Sequence, residues 1–184
     1  PKTFVEALEN GAKNTIGVAA ACSIAGIIVG IVSLTGIGLK LADGLLMLSG
    51  GIDIIALFLT MIACIILGMG VPTTANYVIM ATITAPIILK LIPDTPVLAA
   101  HMFVFYFGIV ADITPPVALA AYAGAAISGG NPIRTGVIAT RLAITAFIIP
   151  YIFVLNPDML LINASFFRVA QIVITSTIGM FSIA

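Results

Sequence analysis

The chain has 184 residues, of which 61% are hydrophobic and 8% are charged, and seven basic residues balance seven acidic ones. A soluble domain carries about 25% charged residues, so this composition excludes an ordinary soluble globule and indicates an integral membrane protein. The zero net charge and the scattered basic residues also argue against nucleic acid as a partner.

Apolar runs long enough to cross a bilayer recur along the chain, and they are continuous without period-two alternation. This pattern predicts an all-α integral membrane fold, a polytopic helical bundle in one transmembrane domain. In chain order we predict an interfacial or connecting helix at 1–14, a span at 15–39, a hairpin at 52–92, a broken span at 96–129, and spans at 136–155 and 160–184.

The basic residues predict the orientation of the chain in the membrane. If 15–39 crosses once and 52–92 returns to its own side, the first side receives four basic residues and the second side two: Lys2, Lys13, Arg134 and Arg141 against Lys40 and Lys90. The positive-inside rule then makes the first side cytoplasmic.

The first polar interruption is "LGMGVPTTAN", from Leu67 to Asn76, inside the predicted hairpin. One helix over 54–89 would be about 54 Å long, against a hydrocarbon core of about 30 Å, so the chain must fold back. Charges mark the outer ends of this segment but not its tip, which favours a re-entrant hairpin over two full crossings joined by an ordinary loop.

Each residue type at the hairpin tip has a specific physical consequence. Gly68 and Gly70 allow close backbone approach and unusual backbone angles, and Pro72 removes the N–H that the Gly68 carbonyl would need in a helix. Thr73 or Thr74 is expected to cap the second arm. Free carbonyls and free N–H groups of this kind suit a small cation and an anionic substrate, respectively.

The second polar interruption is "ADITPP", from Ala111 to Pro116, inside the predicted broken span. The two prolines, Pro115 and Pro116, deprive the carbonyls of Ala111 and Asp112 of helical donors, and a new helix is expected to start at one of these prolines. Asp112 is the only acid deep inside a predicted span, which makes it a candidate for a functional site, although it could instead cap the new helix or pair with a neighbouring segment.

Paired interruptions of this kind indicate the binding site of a secondary transporter, and one hairpin with one broken helix predicts half of an inverted-repeat fold. A channel subunit with a re-entrant loop and a structural subunit without a ligand remain alternatives. An intramembrane aspartyl enzyme would need a second carboxylate, so we expect no enzymatic activity.

The stretches "GMGVPTTANYVIMATITAPIIL" and "GIVADITPPVALAAYAGAAISGGNP" resemble the large membrane subunit of tripartite ATP-independent periplasmic (TRAP) transporters, above all the fused permeases that work with TAXI-type binding proteins. The resemblance implies an elevator-type fold with two inverted repeats, each holding a re-entrant hairpin and a discontinuous helix. It also implies that this chain is a C-terminal half fragment, and its start at Pro1 without a methionine agrees with that expectation.

The resemblance further implies a bacterial or archaeal inner-membrane permease that couples uptake of a small organic acid to an ion gradient, usually sodium, with no other metal or cofactor. The implied partners are a periplasmic TAXI-type binding protein, the first repeat, a small membrane subunit or fused equivalent, and the lipid bilayer. The "VPTT" tip departs from the acidic or asparagine-bearing tips of dicarboxylate-type relatives, so the resemblance does not carry over their substrate.

By position, the resemblance assigns ion binding and substrate binding to the two interruptions. The implied substrate-binding residues are Thr73, Thr74, Asn76 and Thr114. The implied ion-binding residues, mostly through backbone carbonyls, are Gly68, Gly70, Pro72, Thr73, Ala111, Asp112, Thr114 and Pro115.

Overall fold

A computed structural model describes residues 2–115, 117–162 and 164–183, and these residues form α-helices, short 3-10 turns and connecting loops. The α-helices are α1 Lys2–Thr35, α2 Ile37–Ser49, α3 Asp53–Gly68, α4 Thr73–Ile83, α5 Ala85–Leu91, α6 Val97–Val110, α7 Leu119–Ser128, α8 Pro132–Leu142, α9 Ile149–Leu155 and α10 Phe166–Ile183. The predicted all-helical class is confirmed.

Among the described residues, two helical stretches are long and apolar enough to cross a membrane, namely Lys2–Thr35 and Thr73–Leu91. A third appears if Pro132–Leu142 and Ile144–Leu155, which meet at a bend of 66°, form one span. With the shorter apolar helices, these stretches make the chain a multi-pass membrane protein.

The first helix differs from its prediction, because α1 runs from Lys2 through the expected boundary near residue 14 without interruption. No proline separates the polar start from the apolar run, and Lys13 forms an ion pair of 2.6 Å with Glu9 one turn earlier. The helix ends at Thr35, before the predicted limit of 39, because Gly36 adopts a left-handed φ of 64°. An additional helix, α2 (Ile37–Ser49), then covers the end of the predicted span 15–39 and residues that no predicted element includes.

The centre of the described bundle is α6, which packs against α3, α4, α5 and α9. Phe103 and Phe107 of α6 are fully buried, with ring centroids 4.8 Å apart. Leu57 and Cys64 of α3 and Met80 of α4 complete the same apolar cluster. Both arms of the predicted hairpin therefore pack on the helix that precedes the second interruption.

An ion pair joins the outer end of the hairpin to α2. Lys90, near the end of α5, lies 2.5 Å from Asp43 of α2, and both side chains are partly exposed. Asp43 of α2 and Lys90 at the outer end of the hairpin thus lie at one level of the structure.

The later elements also begin and end at other residues than expected. The glycine-rich loop ends at Asn131, whose side-chain oxygen caps α8 by accepting a hydrogen bond from the Arg134 backbone N–H at 3.0 Å. The predicted span 136–155 is divided by a bend after α8 and by a 3-10 turn, Ile144–Phe147. The predicted span 160–184 becomes helical only at Phe166, after a 3-10 turn whose Asp158 accepts a hydrogen bond of 3.1 Å from Arg168.

Candidate functional site at the two helix breaks

The hairpin tip is a four-residue turn between α3, which ends at Gly68, and α4, which begins at Thr73. Gly70 adopts a left-handed φ of 74°, a conformation that glycine reaches without strain. Pro72 occupies the position before α4 with an extended ψ of 142°. The glycine and the proline therefore end one helix and begin the next within a few residues.

The tip contacts α6 through two glycines and one amide, a set that we call the clasp (Gly68, Asn76 and Gly108). Asn76 donates a hydrogen bond of 2.9 Å from Nδ2 to the Gly108 carbonyl. A Cβ atom at Gly68 would lie 2.9 Å from that carbonyl oxygen, and one at Gly108 would lie 2.9 Å from Asn76 Nδ2. At Gly68 only glycine leaves room for the Gly108 backbone, and a side chain at Gly108 would displace the Asn76 amide.

The clasp encloses an amide oxygen without a hydrogen-bond donor. Asn76 is only 3% exposed, and its Oδ1 has no donor among the residues that the structure describes. A buried acceptor without a partner is costly, so such atoms call for an explanation in terms of water, an ion or strain. The Asn76 oxygen is therefore a candidate ligand for a small cation.

The second break lies directly beside the clasp. α6 ends at Val110, a 3-10 turn covers Ala111–Ile113, and this turn packs against α3. The Cβ atom of Ala111 lies 3.2 Å from the position that a Cβ at Gly68 would take. The carboxyl ends of α3 and α6 thus meet at the amino end of α4, which brings two partially negative helix termini and one partially positive terminus together.

Two polar side chains of the second break have different environments. Thr114 has the extended conformation expected before a proline, and its hydroxyl donates a hydrogen bond of 2.7 Å to the Val110 carbonyl. Asp112 is partly buried, and within the described part of the chain its carboxylate has no hydrogen-bond or ion-pair partner. Pro116 lies outside the described residues.

Several expectations about the breaks are wrong. Neither Thr73 nor Thr74 caps α4, because Pro72 holds the cap position and no side chain bonds to it. Two carbonyls expected to be free accept long turn bonds instead: Gly68 from the Val71 N–H at 3.5 Å, and Ala111 from the Thr114 N–H at 3.3 Å.

The helix expected to start at Pro115 or Pro116 starts later, at Leu119. Ala118, immediately before it, has a left-handed φ of 35°, so the chain turns again after the prolines before α7 begins. Asp112 is too far upstream to cap this helix, and the cap position has no side-chain hydrogen bond.

The structure brings together only part of the predicted site. Gly68, Asn76 and Ala111 meet at the clasp, whereas Thr73, Thr74, Gly70 and Pro72 are exposed on the tip. Asp112, Thr114 and Pro115 are partly buried in the second break.

Three residues that the sequence does not predict also contact the breaks: Gly108, Gly136 and Thr140. Thr140 of α8 lies 3.0 Å from the Ile113 carbonyl, and Gly136 allows α8 to approach Pro115. The sequence does contain a sign of the role of Gly108, since it is a lone glycine among bulky apolar residues one turn before Asp112. It contains no comparable sign for Gly136 and Thr140, because only the fold brings these two residues to the break.

His101 also has a partner that the sequence did not indicate. Its Nδ1 lies 3.0 Å from the hydroxyl of Tyr77, the residue after Asn76, and the Tyr77 ring packs edge-on against Phe105. This polar contact is a second link between α4 and α6 beside the clasp.

Comparison with known families identifies one match. The family model described as "Tripartite ATP-independent periplasmic transporter, DctM component" matches residues 2–167, which include both breaks and the clasp. Neither a curated protein nor a solved structure gives a significant match.

Proposed function

Because the chain belongs to the DctM family of tripartite ATP-independent periplasmic transporters, we propose that it forms part of a sodium-coupled permease for a small organic acid. The family is one of transporters and not of enzymes, consistent with the expected absence of enzymatic activity. The observation that carries the proposal is the clasp, which joins the hairpin tip to the helix that leads into the second break.

Sodium is the coupling ion that this arrangement suits best. Unwound carbonyls and the carboxyl ends of broken helices are the groups that hold Na⁺ in secondary transporters. Here the carboxyl ends of α3 and α6 meet beside Asn76 Oδ1, a buried neutral oxygen without a donor among the described residues. We assign the ion to the junction of Gly68, Asn76 and the 3-10 turn that carries Asp112, which is closely packed in this structure and would have to open slightly to admit the ion.

A negative charge near this junction would complete the ion site. The Asp112 carboxylate belongs to the turn that packs against α3, and it has no cationic partner in the described part of the chain. An unpaired carboxylate at membrane depth is costly, and a bound cation would offset that cost. The proposal gives Asp112 this compensating role.

The organic acid is assigned to the exposed side of the same tip. Thr73 and Thr74 form the first turn of α4, where free N–H groups and the positive end of the helix dipole favour an anion. Their hydroxyls cap nothing and are exposed, so they are available to a carboxylate ligand. Thr114 is a weaker candidate, because its hydroxyl already donates to Val110.

The wider assembly follows from the family and from the two motifs. We propose a re-entrant hairpin, an elevator mechanism, and a location in the inner membrane of a bacterium or archaeon. We further propose that a TAXI-type periplasmic binding protein delivers the substrate, and that the first repeat and a small membrane subunit or fused equivalent complete the permease. The similarity of "GMGVPTT" and "GIVADITPP" to the fused permeases supports this assignment.

A single reporter cysteine at the tip tests the proposed function without knowledge of the substrate. In the intact permease, Cys22→Ala and Cys64→Ala remove the two free cysteines, and Thr73→Cys places one thiol on the exposed tip. A membrane-impermeant maleimide should label this thiol, and sodium but not potassium should change the labelling rate at least threefold, about what a shift of ~0.7 kcal/mol produces.

The matched control is Asp94→Cys, in the exposed loop before α6 and away from both breaks. Its labelling should not depend on the cation. A Thr73→Cys thiol that reacts fast from the cytoplasmic side and is indifferent to sodium would make the tip an ordinary loop between two crossings, and the proposed function would then be wrong.

A further inference from the structure

The second break depends on a neighbour outside the predicted site. The Ile113 carbonyl lies at the end of the 3-10 turn, and among the described residues its only hydrogen-bond donor is the Thr140 hydroxyl, at 3.0 Å. Thr140 belongs to α8, 27 residues further along the chain. The end of the turn that carries Asp112 is therefore held by a side chain of another helix.

The Thr140 hydroxyl has two acceptors and one proton. It lies 3.0 Å from the Ile113 carbonyl and also 3.0 Å from the Gly136 carbonyl of its own helix. A hydroxyl donates one hydrogen bond at a time, so the Ile113 and Gly136 carbonyls share this donor, and the hydroxyl links the break to α8.

Gly136 allows α8 to approach closely enough for this contact. A Cβ atom at this position would lie 3.3 Å from Pro115 Cγ and 3.3 Å from Ala118 Cβ. Ala118 is fully buried and has a left-handed φ of 35°, which is a strained conformation for alanine. Such strain persists only where the surrounding structure holds it, and the closely packed α8 provides that support.

We propose that Gly136 and Thr140 form a brace that fixes the second break in the conformation required for ion binding. The inference rests on the proposed function, because it assigns a positioning role toward the same ion. It adds two residues of α8 to the residues that support the ion site. It also connects the break to a helix that carries Arg134 and Arg141 near its ends, and these two residues are expected on the cytoplasmic side.

The test uses hydrogen exchange of residues 111–118 in the intact permease, reconstituted in lipid nanodiscs and titrated with sodium chloride at constant ionic strength. Thr140→Val removes the hydroxyl with little change in shape, and Thr140→Ser restores it. We expect faster exchange in the Thr140→Val variant without sodium. The sodium concentration for half-maximal protection should rise about fivefold, because the break would be in the binding-competent conformation for a smaller fraction of the time. Thr140→Ser should stay close to wild type.

A glycine pair provides an independent arm. Gly136→Ala places a methyl group against Pro115 and Ala118 and should accelerate exchange at the break, whereas Gly124→Ala in α7 meets nothing within 4 Å and should not. The two substitutions add the same methyl group to the interior of a helix. Their difference isolates the contact with the break from any general effect on helix stability.

The outcomes separate the brace from the proposed function. Unchanged exchange in both Thr140→Val and Gly136→Ala overturns the brace, whether or not sodium binds. Faster exchange with an unchanged sodium titration limits α8 to a structural contact and also overturns the positioning role. A wild-type permease that does not respond to sodium overturns the proposed function, while exchange measured without sodium still decides whether α8 holds the break.

Discussion

The two helix breaks are held in place by different means. The hairpin tip is held by close backbone approach, since Gly68 and Gly108 leave room for one amide, that of Asn76, between α3, α4 and α6. The second break is held by hydroxyls, since Thr114 and Thr140 each donate to a carbonyl of the interrupted helix. The first break should therefore be sensitive to added volume, and the second to the loss of a hydrogen-bond donor.

The largest effect is expected from filling the clasp. Gly68→Ala would place a methyl carbon 2.9 Å from the Gly108 carbonyl oxygen, a backbone atom that cannot rotate away. Overpacking of this kind costs about 1–3 kcal/mol, and we expect the upper end here. Thermal unfolding of the intact permease in detergent measures the loss. Gly124→Ala, whose Cβ meets nothing within 4 Å, should leave stability unchanged or slightly raised.

The next largest effect is expected from removing the clasp amide. Asn76→Ala leaves the buried Gly108 carbonyl without its side-chain donor, which should cost about 1–3 kcal/mol of stability. It also removes the candidate cation ligand, so sodium should no longer raise the melting temperature. Thr73→Ala, an exposed tip residue that caps nothing, should change stability by less than about 0.5 kcal/mol. Equal losses in both variants would contradict a special role for the clasp.

A third variant, Asp112→Asn, separates the effect of the negative charge on sodium binding from the effect of side-chain packing on stability at the second break. It keeps the size of the side chain and removes the negative charge proposed to balance the cation. We expect the sodium concentration for half-maximal protection to rise about tenfold, equivalent to ~1.4 kcal/mol, with little change in stability without sodium. A large loss of stability without sodium would instead indicate a structural role for the carboxylate.

The smallest effect is expected far from both breaks, at the ion pair between Lys90 and Asp43. Their side chains are 43% and 60% exposed, so the pair should contribute at most about 1 kcal/mol. A double-mutant cycle with Lys90→Met and Asp43→Asn measures this coupling. A coupling energy well above that limit would mean that the contact between α2 and the hairpin contributes as much to stability as the clasp does.

Sequence reasoning located the breaks correctly because their causes are local. Gly70 and Pro72 determine backbone angles at the tip, and the residue before Pro115 is extended as its position requires. It failed where the outcome depends on tertiary contacts. The sequence predicts a cap from Thr73 or Thr74, but Pro72 occupies the cap position of α4. It also predicts that α7 starts at the prolines, but the chain turns once more at Ala118 before this helix begins.

The candidate site was predictable only in part for the same reason. The family resemblance names Asn76 by its position in the first interruption, but the sequence does not indicate that this side chain is buried against Gly108. The contact of α8 with the second break could not be predicted, because Thr140 and Ile113 are 27 residues apart and neither local sequence pattern indicates that they meet. The local sequence determines where the helices break, whereas the tertiary fold determines which residues contact and hold the breaks.

The most direct test of the central claim asks whether the two breaks respond to sodium as one unit. Hydrogen exchange of residues 68–76 and 108–115 would be followed in the intact permease, in nanodiscs, with sodium or with potassium at equal ionic strength. The account predicts that sodium alone slows exchange in both segments with the same concentration dependence, and that Asn76→Ala abolishes the effect in both. Protection of one segment only, or equal behaviour in sodium and potassium, would contradict a shared ion site at the clasp.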